Sequence, residues 1–207
     1  MTRLSVAERR NLLLDAASRV IARDGLAEAS TRAITDEAGM PRGMFHYCFT
    51  SKDELLEQLI RHHVTDMVEA ACATWDGTRD LTDNLRAGLR AVLGIGMADT
   101  DVQLLSYELL VHALRGTETA SIASHEYADY ARQASEYLQF VADKAGVRWT
   151  VSQPALARLF SVVIDGSMLN WLADRDSETA TASLDAFAVM LTSLTAPVDG
   201  GPVERPE

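Results

Sequence analysis

Between Ser30 and Leu56 the chain reads STRAITDEAGMPRGMFHYCFTSKDELL, and few folds accommodate that order of signals. Ser30 or Thr31 is a good helix N-cap. Gly39 interrupts the pattern eight or nine residues later, Pro41 can open a second short helix, and Ser51-Lys52-Asp53-Glu54 has the form of a capping box before a third. Two short helices joined by a tight turn, followed by a capped long helix, predict a helix-turn-helix.

Around this segment helical periodicity dominates, and no alternating strand pattern stands out. Ser5-Val6-Ala7-Glu8 also fits a capping box, and Leu13, Ala16, Ala17, Val20 and Ile21 then line one face. Gly25 suits a left-handed residue closing that helix, with Leu26 packing back over its last turn. The helix starting near Ser51 is expected to run to about Trp75. Further helices are expected over about 81–98, 102–115, 119–145, 153–174 and 179–195, separated by polar or glycine breakers. Pro154 falls in a first turn, where its missing N–H costs little. The predicted class is all-α. A helix-turn-helix domain spans residues 1–56, with a connecting helix to about 75, and a larger helical domain spans 57–195. The stretch APVDGGPVERPE, 196–207, has no periodicity and reads as a disordered tail.

The net charge of −11 is unevenly placed. Residues 1–56 carry eight basic and eight acidic side chains, whereas 57–207 carry 11 basic and 22 acidic, so the excess lies in the second domain. That division permits one end of the chain to meet phosphates while the other repels them. No apolar run is read as long enough for a membrane span, and charged residues interrupt the N-terminal apolar segments, so a cytoplasmic protein is expected. Cys48 and Cys72 stand in no metal-ligand spacing and read as packing residues.

Within the helix-turn-helix, Ile34 and Ala38 lie one turn apart and face the expected core, and Phe49 ends the second short helix as an apolar anchor. Arg42, Gly43, Met44, His46 and Tyr47 cannot all face inward. Arg42 and His46, four apart, share a face. Arginine can read guanine bidentately, and Met44 can meet a thymine methyl. Gly43 lets the backbone approach the groove. Tyr47 and Lys52, with the helix N-terminus at Ser51, suit phosphates. Ser30, Thr31, Arg32 and Pro41 complete the expected DNA-facing set. A solvated helix face is the alternative reading for Arg42, His46 and Tyr47.

Residues 7–60 resemble the N-terminal DNA-binding domain of the TetR (tetracycline repressor) family, whose pattern is roughly T-x-x-x-I-A-x-x-A-G-V-S-x-G-x-L-Y-x-H-F-x-x-K-x-x-L. Ile34, Ala38, Gly39, Gly43, Phe49, Lys52 and Leu55 match it directly, while Ser30 replaces its Thr and Phe45 its Leu. The chain departs at Met40, Pro41, His46 and Cys48, where the pattern has Val, Ser, Tyr and His. The phosphate contact that the resemblance assigns to that tyrosine falls to His46 or Tyr47.

The resemblance implies a homodimeric repressor on a palindromic operator in double-stranded DNA. It further implies release by a small-molecule effector bound among the C-terminal helices. Trp75, Met97, Tyr107, Glu108, His112, Met168 and Trp171 are the candidate lining residues. Glu108 and His112 are four apart in an apolar run, so a buried carboxylate could favour a cationic effector; a surface Glu beside a core His is the plainer reading. The apolar seams of the last two helices include Phe160, Val163, Ile164 and Trp171 on one and Leu184, Phe187, Leu191 and Leu194 on the other. They could pair with a second copy or pack within one chain, and spacing leaves both open.

Other classes lack support. There is no Gly-x-Ser-x-Gly elbow, His-Glu-x-x-His or phosphate loop, and Gly94-Ile95-Gly96 is only a fragment of a dinucleotide fingerprint. His62, His63 and Asp66 read as a solvated face, so no metal or cofactor is expected. A helical scaffold with an inactive DNA motif is the remaining alternative; exposed Arg42 and intact Lys52 argue against it.

Overall fold

The computed structural model describes the backbone of residues 4–115 and 120–198; within these, the side chains of 109, 112–115 and 120–127 lie outside the description. Among the described residues the order is α1 (Val6–Asp24), α2 (Thr31–Glu37), α3 (Gly43–Cys48), α4 (Lys52–Ala73), α5 (Leu81–Ala98) and α6 (Thr100–Arg115). It continues with α7 (Ala120–Ala145), β1 (Val147–Trp149), α8 (Gln153–Asp174), α9 (Ser177–Ser193) and β2 (Thr195–Pro197). The all-α class and the N-terminal helix-turn-helix hold.

Local chemistry sets the ends of these helices. Ser5 Oγ accepts from the Glu8 amide at 3.2 Å while Glu8 returns to the Ser5 amide at 2.6 Å, closing the expected capping box. Asp99 caps α6 through the Val102 amide at 3.3 Å, so that helix begins two residues earlier than its apolar pattern suggests. Asp176 likewise caps α9 through the Thr179 amide at 3.0 Å. Gly25 closes α1 at φ 85° and ψ 163°, an extended mirror-image conformation rather than the left-handed helical one expected.

The chain forms two compact units. Unit 1 comprises residues 1–65 and 99–123, and unit 2 comprises 66–98 and 124–207. The long α4 therefore contributes to both. In unit 1, α6 packs on α1. Ser18 Oγ donates to Asp99 Oδ2 at 3.3 Å, joining α1 to the cap of α6.

In unit 2, parts of α4 and α7 join α5, α8 and α9 around one apolar cluster. Tyr137, Phe160 and Phe187 run through it as a ring chain, with centroids 5.6 and 6.0 Å apart. By length and composition α8 could cross a membrane, against the sequence reading. Leu156, Ala157, Phe160, Met168 and Trp171, however, are buried in this core. The strands were also unexpected: Val147 pairs with Pro197 and Trp149 with Thr195, antiparallel. Three residues show no readable alternation, and the pair takes up Ala196 and Pro197 from the start of the expected tail.

Candidate nucleic-acid interface

Unit 1 presents α2 and α3 through a turn that needs glycine. Ser30 Oγ accepts from the Ala33 amide at 3.1 Å and starts α2. At its other end the Met40 amide donates to Thr35 O at 2.9 Å and the Gly39 amide to Asp36 O at 3.2 Å. This is a Schellman closure, and Gly39 sits in it at φ 63°. Thr35, fully buried, adds hydroxyl bonds of 3.0 Å to the carbonyls of Thr31 and Arg32.

α3 follows, with Phe45 and Cys48 buried and Phe49 buried directly after it. Those anchors turn the remaining positions outward. Pro41, Arg42, Gly43, His46 and Tyr47 are exposed, and Met44 is half-buried. Tyr47 is 63% exposed, much for an aromatic ring on a folded unit. An added Cβ on Gly43 would meet nothing within 4 Å, so neither packing nor turn geometry within the chain requires glycine there.

The cations of this unit divide into committed and uncommitted groups. Arg19 and Arg23 both close on Glu37, at 2.9 and 2.8 Å, and hydrogen bonds from Arg23 first and Arg19 second lower its carboxyl pKa. Arg10 pairs with Glu54 at 2.8 Å. Arg32 faces Asp36 across an exposed 3.6 Å pair. Arg42 makes no ion pair among the described residues. Lys52, expected at a phosphate, donates one proton to Leu26 O at 3.2 Å and so ties α4 to the loop between α1 and α2. The capping box at Ser51 is half formed. Ser51 Oγ accepts from the Glu54 amide at 3.1 Å, but the Glu54 carboxylate accepts from the Thr50 amide and from Arg10 rather than from the Ser51 amide. Exposed Ser30 and Arg32 and half-buried Thr31 lie at the start of α2.

The expected effector residues do not converge on one described cavity. Trp75, Met97, Met168 and Trp171 belong to the apolar cluster of unit 2. Trp171 Nε1 donates to Ser177 Oγ at 3.0 Å, and Trp75 meets Phe140 edge-on at 5.9 Å. Tyr107 and Glu108 belong to unit 1, and Glu108 is exposed, as the plainer reading of a surface carboxylate expects, so it offers no buried charge to a cationic effector. The side chain of His112 lies outside the described residues. His63, expected on a solvated face, is instead buried.

The seams of the last two helices resolve toward the chain's own interior. Phe160, Trp171, Leu184, Phe187 and Leu191 are buried in the core of unit 2, and Val163, Ile164 and Leu194 pack against it. Spacing locates a seam but not its partner. The apolar residues left exposed are others: Val162 and Leu169 on α8, and Val189 and Met190 on α9.

Residues 13–59 match the family described as "Bacterial regulatory proteins, tetR family". The HTH-type nicotine-responsive transcriptional repressor HdnoR of Paenarthrobacter nicotinovorans is 31% identical over 176 residues, covering 83% of this chain and 88% of its own. The HTH-type transcriptional regulator BetI of Brucella anthropi is 24% identical over 187 residues, covering 88% and 93%. A TetR transcription regulator from Haloarcula marismortui shares the fold at TM-score 0.67 and 16% identity, over 92% of this chain and 100% of that one.

Proposed function

The chain belongs to the tetR family of bacterial regulatory proteins and is a DNA-binding transcriptional regulator, and on that premise we propose how it reads and releases its site. α3 enters the major groove, with Arg42 reading a base, Met44 touching a thymine methyl, and His46 and Tyr47 at base edge and phosphate. Ser30, Thr31, Arg32, Pro41 and the N-terminal turn of α4 at Lys52 contact the backbone. One observation carries this reading. The protein spends a glycine at Gly43, on an exposed helical position where its own packing asks for none. A close approach by another molecule's backbone accounts for it.

The regulator acts as a homodimeric repressor on a palindromic operator. Val162 and Leu169 lie two turns apart on one face of α8, and Val189 and Met190 stand exposed on α9, which supports α8 and α9 as the surface shared by two copies. Release follows if a small-molecule effector prefers the conformation whose two reading heads no longer match the half-site spacing. HdnoR is named for its response to nicotine, so nicotine and other small amines are the first effectors to try.

The test is selection of bound genomic fragments by the purified protein at near-physiological salt, followed by sequencing. Enrichment of a short palindrome is expected, and the adjacent genes then narrow the effector. No enrichment over random fragments, with or without candidate effectors, would sink the repressor reading.

A further inference from the structure

The reading helix has little of its own to hold it. α3 is six residues long, and its N-cap Arg42 makes no side-chain cap bond. Helices this short are unstable alone, because nucleation costs more than one or two turns return. Its last carbonyls also have no partners within the helix.

What fixes its exit comes from α1. Arg10 sends Nη1 to the carbonyl of Cys48, the last residue of α3, and Nη2 to Glu54 Oε1 at 2.8 Å. The same guanidinium lies 4.3 Å from the centroid of the Phe49 ring. Glu54 Oε2 accepts from both the amide and the hydroxyl of Thr50, each at 2.7 Å. Every residue from Cys48 to Thr50 is thus tied to one Arg–Glu pair. Bonds from the Thr50 amide first, and from Arg10 next, hold the Glu54 carboxyl down to about 2, so the pair stays charged through the working pH range.

We propose that Arg10 is a positioning residue for DNA recognition: it clamps the exit of α3 and thereby sets the direction in which Arg42, His46 and Tyr47 project. The clamp needs arginine. A planar fork serves a carbonyl, a carboxylate and a ring face at once, whereas the single ammonium of lysine does not. With its donors turned inward, Arg10 acts through α3 and not on phosphate. The proposal rests on the reading that α3 enters the groove.

The experiment uses the full chain and its Arg10→Met and Arg10→Lys variants. Each is titrated on the selected operator and on random duplex across a salt series, and backbone amide exchange is followed without DNA. Expected is a loss of the operator-to-random ratio by about tenfold or more in both variants, with random-duplex affinity within about twofold and an unchanged salt slope. Amides of 44–49 exchange faster while those of the buried face of α1 keep their protection. An unchanged ratio overturns the proposal. Equal losses on both duplexes with a salt slope smaller by about one make Arg10 a phosphate contact instead. Protection lost throughout α1 to α4 makes it a general stabiliser. If the wild-type protein itself does not discriminate, the groove reading fails, and exchange in 44–49 alone decides whether the clamp exists.

Discussion

The Met40 amide donates to the carbonyl of Thr35 at 2.9 Å, one residue beyond Gly39, and this bond turns the chain from α2 toward α3. The turn works only while Gly39 holds φ 63°. An L residue other than Asn or Asp pays about 1–2 kcal/mol there. Gly39→Ala is expected to lower stability by about that amount in chemical denaturation, and Gly39→Asn by less. Equal costs for both would mean that the left-handed geometry is not what matters.

Gly43→Ala should separate folding from binding. A Cβ there meets nothing, so the substitution raises helix stability by up to about 1 kcal/mol. Operator affinity falls in the same protein because the methyl holds the backbone off the groove. Thermal melting and a binding titration on one sample check the opposite signs; a variant that binds as tightly as wild type removes the chief support for groove entry.

Arg42→Ala is expected to cost about 1–3 kcal/mol on the operator and to relax one base preference. Lys52→Ala weakens all sequences alike, and it also lowers the melting temperature through the lost bond to Leu26 O. Titration on operator and random duplex tells the two apart. The same loss pattern for both residues would refute their division of labour.

In unit 2, a Cβ on Gly88 would come within 2.1 Å of Tyr137 Oη and 3.6 Å of Ala71 Cβ. Tyr137 is buried and cannot swing clear, so Gly88→Ala should destabilise by about 1–3 kcal/mol through overpacking. Adding Tyr137→Phe removes the clashing oxygen and should recover part of the loss. Additive costs in a double-mutant cycle would show that the two positions do not meet.

Two carboxyls set opposite pH trends in separate windows. Burial pushes Asp165 up to about 6, so the folded state binds its proton more readily than the unfolded chain does. Stability is therefore expected to rise as pH falls from about 7 to 4, and Asp165→Asn should flatten that rise. Glu54, lowered to about 2, works the other way: its contribution is present above about 4.3 and is lost as pH falls toward 2. Denaturation midpoints across pH 7 to 2 for wild type, Asp165→Asn and Glu54→Gln check both signs.

Local rules were sufficient for much of this protein. Helix starts at Ser5, Ser30 and Ser51, the turn at Gly39, the buried stripe of α1 and the outward set Arg42, His46 and Tyr47 all follow from caps, periodicity and steric freedom within a few residues. Tertiary structure alone decided which partner each apolar or charged face met. Phe160 and Leu184 formed legible seams, yet only the packed unit shows that their own chain fills them and leaves Val162 and Val189 outside. Spacing left Glu108 between a pocket and the surface, and it stands in solvent; His63 reads as solvated and lies buried. Arg10 was one cation among eight until folding brought it to Cys48 and Glu54, 38 and 44 residues away. The reason is one of range. Caps and turns are determined by neighbours along the chain, whereas burial and ion pairing depend on segments whose approach no spacing records.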